Sequence, residues 1–190
     1  MKNDSTHAPI DTAPEIYDRL TIRLHWATAA LVSILWLMGR TIGFMPRGPL
    51  RIDMWSLHIL LGVALACVLV TRLIWRATNG RKLPSADQST LDLLARAVHW
   101  LLYLLLAIVV VLGVINVFTH AFPLFNMWRF PKIGEADLRR AINHWHDLVA
   151  NIIMAVALLH ATAALLHHYV IKDSVLRRMW PSRQPARQVR

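Results

Sequence analysis

The fold of this chain follows from one stretch, residues 143–168, which reads NHWHDLVANIIMAVALLHATAALLHH. It is uncharged from Leu148 to Leu166, and about 20 such residues in a helix are enough to span a bilayer. His146 and His160 would lie roughly 21 Å apart along that helix, and the steps between them end about 40° short of four whole turns. Both rings therefore leave one helix face at opposite membrane depths. Polar rings inside a span predict a functional site.

The composition is that of a small integral membrane protein. Hydrophobic residues make up 56% of the 190 residues, and the mean hydropathy is +0.42. Both values exceed those of ordinary soluble domains. The apolar segments predict an all-α, integral membrane four-helix bundle with spans over residues 21–44, 54–75, 97–118 and 142–169. The first 20 residues are polar, so we expect no cleaved signal peptide.

The segments outside the spans are polar or basic. We predict a flexible tail over residues 1–18, a four-span domain over 19–180 and a basic tail over 181–190. Gly43, Pro46, Gly48 and Pro49 predict a loop after the first span, and residues 135–140 a short interfacial helix before the fourth. Fourteen of the 21 Lys and Arg residues fall on the side that holds both termini and the middle loop. By the positive-inside rule both termini are cytoplasmic.

Histidines at matching depths on other spans complete two pairs. In an up-and-down bundle, His25 shares one membrane half with His160, and His58 shares the other half with His146. Paired imidazoles from facing helices are the natural axial ligands of haem iron. Zinc is the competing metal, but it usually needs three or four ligands at one depth. The single Cys67 can form neither an internal disulfide nor a thiolate cluster, so histidine must hold any metal.

Alternatives remain for individual histidines. A lone histidine at a membrane interface is most often structural, and only the matched depths of four favour ligation. His99 begins the third span at the same depth as His25, so spacing alone leaves either as the partner of His160. His99, His167, His168 and Asp173 are also candidates for proton delivery at the cytoplasmic face.

Several short motifs resemble the bacterial cytochrome b561 family. They are RLTIRLHW at residues 19–26, NHWHD at 143–147, LHA at 159–161 and HHYVIKDSVLRRM at 167–179. The resemblance covers about residues 17–180. It implies a four-helix dihaem cytochrome b of the bacterial inner membrane that exchanges electrons with the quinone pool. It also implies two haem b groups, one ligated by His25 with His160 and the other by His58 with His146, which favours His25 over His99.

The branch that this chain is most similar to includes superoxide:ubiquinone oxidoreductases. That resemblance implies an enzyme that oxidises superoxide at the outer face and reduces ubiquinone. A cytochrome b subunit that relays electrons between a partner dehydrogenase and quinone is the alternative, and a haem-binding scaffold without turnover is a third. Partners would be membrane lipid, quinone, and superoxide or a redox protein.

The basic residues on the predicted outer side could steer a small anion toward the site. They are Arg40, Arg47, Arg51, Arg129, Lys132, Arg139 and Arg140, against Asp53, Glu135, Asp137 and Asp147. The same surplus could dock an acidic partner. Although the formal net charge is +10, the basic residues flank apolar segments, which argues against nucleic acid as a partner. No phosphate-binding loop, nucleophile elbow or carboxylate pair indicates hydrolase or nucleotide chemistry.

Overall fold

Four long helices form the body of the protein in a computed structural model, which describes residues 17–79, 90–172 and 175–180. They are α1 (Arg19–Thr41), α2 (Pro49–Thr78), α3 (Thr90–Thr119) and α4 (Ala136–Leu166). All four are long and apolar enough to cross a membrane. The predicted all-α four-helix architecture is therefore confirmed. The tails at 1–16 and 181–190, most of the middle loop and Asp173 lie outside the described residues.

Consecutive helices run in opposite directions. Near the start of α1 the side chain of Asp18 accepts a hydrogen bond from Trp75, close to the end of α2. His25 on α1 likewise meets His160 near the end of α4. We call this side the His160 end of the bundle and the opposite side, where His58 meets His146, the His146 end.

All four helices begin before the predicted spans, and α2 and α3 also end after them, whereas α1 and α4 end three residues earlier, at Thr41 and Leu166. Pro49, expected in a loop, is the first residue of α2, a position where proline lacks only a hydrogen bond that would be unmade anyway. Residues 135–140 were expected to form a short interfacial helix that leads into the fourth span. In the structure Glu135 is the N-cap residue, and residues 136–140 are helical but continuous with α4, which begins at Ala136 and runs unbroken because no helix breaker follows.

Short elements close both ends of the bundle. A 3-10 turn (Ile42–Phe44) follows α1, and strands β1 (Pro123–Leu124) and β2 (Trp128–Arg129) form a hairpin between α3 and α4. The hairpin is fixed by the fully buried Ser56, whose hydroxyl accepts a 2.8 Å hydrogen bond from the Phe125 amide. A π-helical turn (His167–Ile171) extends α4 and leads to α5 (Val175–Arg178).

The core lies between the long helices at mid-height. It contains Leu35, Leu65, Leu69, Tyr103, Leu105, Leu106, Val109, Val149 and Ile153. Large aliphatic side chains also cover the outer faces of the helices, as expected where lipid replaces water. Ile153 lies halfway between His146 and His160 on the same α4 face, so apolar packing separates the two histidine levels.

Candidate functional site

The His146 end holds the first histidine pair. The half-buried rings of His58 on α2 and His146 on α4 have centroids 6.5 Å apart and planes 68° apart. Among the described residues, the buried Nδ1 atom of His58 has no hydrogen-bond partner. A ligating imidazole nitrogen lies about 2 Å from its metal ion, and the ring centroid lies about 1 Å further out. Two imidazoles on opposite sides of one metal ion would therefore have centroids roughly 6 Å apart. The pair therefore fits axial ligation of one iron.

The second pair repeats this geometry at the His160 end. The ring centroids of His25 and His160 are 6.4 Å apart and their planes again differ by 68°. The near-identity matters because the two pairs come from different helix combinations, α1 with α4 and α2 with α4. Ordinary packing of unrelated polar side chains gives no reason for the repetition. Both sites fit the bis-histidine ligation of haem b, and ligation itself stays a prediction.

His99 also contacts His160, but with a different geometry. The two centroids lie 5.1 Å apart, closer than in either pair above. His99 donates its Nδ1 proton to the Ala95 carbonyl at 2.6 Å, because a carbonyl can only accept. Such a bond suits a metal ligand as well as a second-sphere histidine, so it does not separate the roles. The ring distance favours His25, as does the family resemblance.

Two glycines lie against the imidazole rings of the pair at the His146 end. A Cβ at Gly113 on α3 would come within 3.2 Å of His146 Cε1, and one at Gly39 on α1 within 3.9 Å of His58 Cε1. Neither glycine was among the site residues predicted from the sequence. A glycine inside the Leu- and Val-rich third span was the available signal, since glycine weakens a helix and usually has a packing reason.

Arg72 is a further residue that the sequence analysis did not single out. The structure places Arg72 half-buried between α1 and α3, with Nη2 3.0 Å from His25 Nδ1. Its guanidinium also lies 5.2 Å from the ring centroid of the buried Tyr103. The cation therefore belongs to the histidine cluster at the His160 end.

The histidines do not belong to a larger cluster of metal-binding side chains in the part of the chain that the structure describes. Among the described residues, no group of three or more His, Cys, Asp and Glu side chains gathers around a common point. A tetrahedral zinc site would need such a group. A two-histidine arrangement would fit a metal whose other ligands come from a macrocycle.

The other predicted site residues lie at the two ends of the bundle. His167 and His168 are half-buried in the π-helical turn at the His160 end. The basic residues of the predicted outer side are all at the His146 end, and most are exposed. Arg40 pairs with Asp147 at 3.2 Å and contacts Asn151, Arg140 pairs with Asp137, and Arg51 bonds the Met45 carbonyl. Lys132 and Arg139 line a small cavity of about 60 Å³ with Thr119 and Glu135.

Comparison with known proteins places this arrangement in a family. A model of prokaryotic cytochrome b561 proteins matches residues 16–182. A Yersinia pestis protein named "Probable superoxide oxidase CybB" is 33% identical over 177 residues, covering 88% of this chain and 97% of the relative. The "Cytochrome b562" of Cereibacter sphaeroides is 32% identical, covering 86% and 94%. The "Cytochrome b561 homolog 2" of Escherichia coli is 28% identical, covering 87% and 92%.

Proposed function

The chain belongs to the prokaryotic cytochrome b561 family, and from that premise we propose that it is a dihaem membrane cytochrome b that oxidises superoxide and reduces ubiquinone. The observation that carries the proposal is the repeated histidine geometry, with centroid separations of 6.4 and 6.5 Å at the two ends of α4. Two haem sites stacked along one helix make a path for electrons, which haem storage would not need.

The ligands follow from the two pairs. His25 with His160 holds one haem b and His58 with His146 holds the other. When bound, each haem supplies an iron that gains and loses one electron at a time. The overall reaction balances: two superoxide anions each lose one electron and leave as O2, and one ubiquinone takes two electrons and two protons to become ubiquinol.

The side chains at the two ends have different tasks in this proposal. At the His146 end, the exposed cations raise the local concentration of the superoxide anion. At the His160 end, His99, His167 and His168 are titratable groups that pass protons to the reduced quinone, and Asp173, which lies outside the described residues, is a further candidate by its place in the sequence. Apolar packing around Ile153 keeps water out of the space between the two levels.

We place the protein in the bacterial inner membrane with both termini in the cytoplasm. The orientation rests on the excess of Lys and Arg in the two termini and in the loop between the second and third spans. It puts the His146 end, with its exposed cations, on the outer surface. Superoxide carries a charge and crosses membranes poorly, so an acceptor at that surface would meet superoxide formed outside the cytoplasm.

The decisive experiment mixes the purified, oxidised protein with a source of superoxide and follows the Soret and α bands, with and without added ubiquinone. We expect rapid haem reduction that superoxide dismutase prevents and that ubiquinone reverses. Haem that stays oxidised under superoxide would contradict the proposal.

A second candidate function is a cytochrome b subunit that relays electrons between a partner dehydrogenase and quinone. The exposed basic surface at the His146 end favours it equally well, because that surface complements an acidic protein. Reduction of the haems by a co-purified dehydrogenase, together with no response to superoxide, would assign the chain to this function.

A further inference from the structure

A cationic cluster at the His160 end is not explained by histidine ligation alone. Arg72 and Arg76, one helical turn apart on α2, both lie over the ring of Tyr103, at 5.2 and 5.9 Å from its centroid. Tyr103 is only 8% exposed, so the face between α2 and α3 is closed to bulk water at this point. Arg72 reaches further inward and contacts His25 at 3.0 Å.

The charge of this cluster is not balanced by the protein that the structure describes. Among the described residues, no carboxylate pairs with Arg72 or Arg76. At the His146 end, by contrast, Arg40 has its counter-ion in Asp147. Among the described residues, the half-buried guanidinium of Arg72 has only the neutral side chains of Tyr103 and His25 as partners, which leaves its charge without a counter-ion. A planar carboxylate is the group that guanidinium binds best.

The contact with His25 points the same way. Guanidinium has donors and no acceptor, so the His25 Nδ1 that Arg72 contacts must be the acceptor, and the other ring nitrogen carries the proton. An imidazole that ligates iron through that other nitrogen has its proton on Nδ1 instead. Arg72 cannot donate to a protonated Nδ1. Iron ligation by His25 therefore requires Arg72 to find a different acceptor.

We propose that Arg72, supported by Arg76, binds a propionate carboxylate of the haem held between His25 and His160. This inference rests on the proposed function, because it assumes haem at that site. Haem b carries two carboxylates on one edge, and the pair of guanidiniums on α2 offers donors for them at the depth of His25. Arg72 is then a positioning residue that fixes the macrocycle and compensates its charge.

The test is a potentiometric titration of purified Arg72→Gln, Arg72→Lys and Arg23→Gln, with haem content measured on the same samples. Removing a cation that compensates a propionate makes the iron harder to reduce. In Arg72→Gln we expect the reduction potential of one haem to fall by at least about 59 mV, which is a tenfold shift of a one-electron equilibrium. The reduction potential of the other haem should not change. Arg72→Lys should retain most of the wild-type value.

Arg23→Gln is the matched control, since it removes the same charge from an exposed position on α1 two residues before His25. It should leave both potentials unchanged. Equal shifts in Arg23→Gln and Arg72→Gln would overturn the inference, because they would show only a general effect of charge. Unchanged potentials in Arg72→Gln with slower reoxidation by ubiquinone would also overturn it and assign Arg72 to the quinone.

If Arg72→Gln fails to retain haem, a second measurement replaces the titration. The His146→Ala variant, in which Arg72 is intact and only the His25 site remains, is made in haem-deficient cells. Its membranes are then supplied with haem or with haem dimethyl ester, whose carboxylates are blocked. We expect at least tenfold weaker retention of the ester, and equal retention would overturn the inference. Loss of a haem in His25→Ala with unmoved potentials in Arg72→Gln would overturn this inference alone, whereas full haem content in His25→Ala would overturn the proposed function as well.

Discussion

Gly113 on α3 lies directly against the ring of His146 on α4, so close that a Cβ at position 113 would come within 3.2 Å of His146 Cε1. A side chain at position 113 would therefore have to displace the imidazole. The position of the His146 ring, a proposed axial ligand, thus depends on residue 113 being a glycine.

We predict that Gly113→Ala changes the spectrum of the haem at the His146 end. The added methyl must push the His146 ring by a few tenths of an ångström, and ligand orientation alters the electronic state of a bis-histidine iron. Low-temperature EPR and the α band should show one of two haems altered, and Gly113→Val should lose that haem. Gly62→Ala on α2, where a Cβ meets nothing within 4 Å, is the control. An unaltered spectrum in Gly113→Val would contradict the packing described here.

The histidine ligands are tested by haem content. His146→Ala and His160→Ala should each lose one of two haems, because each removes one member of a different pair. The pyridine haemochrome assay on purified protein measures this as about half of the wild-type ratio of haem to protein. His144→Ala, two residues from His146 and exposed, should keep the full ratio. An unchanged ratio in both ligand variants would contradict the assignment.

The choice between His25 and His99 requires its own pair of variants. His25→Ala should lose the haem at the His160 end, because its ring distance to His160 matches that of the other pair. His99→Ala should keep that haem, and its effect should be confined to quinone reduction. Difference spectra of membranes with matched protein levels measure both. Haem lost from His99→Ala and retained in His25→Ala would reverse the pairing.

The depth of each histidine could be predicted from hydropathy, because antiparallel spans bring residues at equal distances from a membrane face together. The contacts of Gly113 with His146, Arg72 with His25 and Ser56 with Phe125 could not. They depend on the rotation of each helix about its axis, and lipid-facing and core-facing residues in these spans are equally apolar. The hairpin between α3 and α4 escaped prediction for a related reason. Its strands have two residues each, too few to show an alternating pattern.

If exposed cations steer superoxide, the rate of haem reduction should depend on salt and on two side chains, Lys132 and Arg139. The rate of haem reduction by superoxide should fall as ionic strength rises, because screening shortens the reach of exposed charges. Arg139 precedes His146 by two helical turns on the same face of α4, and it lines the small cavity with Lys132. Arg139→Gln and Lys132→Gln should each lower the rate about twofold at low salt. The control is Arg23→Gln, at the opposite end of the bundle.

Pulse radiolysis, which delivers a known dose of superoxide, measures these rates directly. The variants should converge with the wild type at high salt. Rates that do not respond to salt or to either substitution would show that the cations at the His146 end have no part in capture.

Ser56 anchors the hairpin over the His146 end, and its removal should loosen that hairpin without affecting the bundle. The hydroxyl is fully buried, donates to the Ile52 carbonyl and accepts from the Phe125 amide, both at 2.8 Å. Ser56→Ala leaves the Phe125 amide without its acceptor, which costs about 1–3 kcal/mol. Because the cost falls on a loop, hydrogen exchange should quicken in residues 121–130 while the cores of α1 to α4 keep their protection. The control is Ser33→Ala, whose exposed hydroxyl bonds only the Ala29 carbonyl of its own helix.

If the hairpin shields the haem at this end, superoxide should reduce that haem faster in Ser56→Ala and at the wild-type rate in Ser33→Ala. Unchanged exchange at Phe125 in Ser56→Ala would show that the hairpin is held by other contacts.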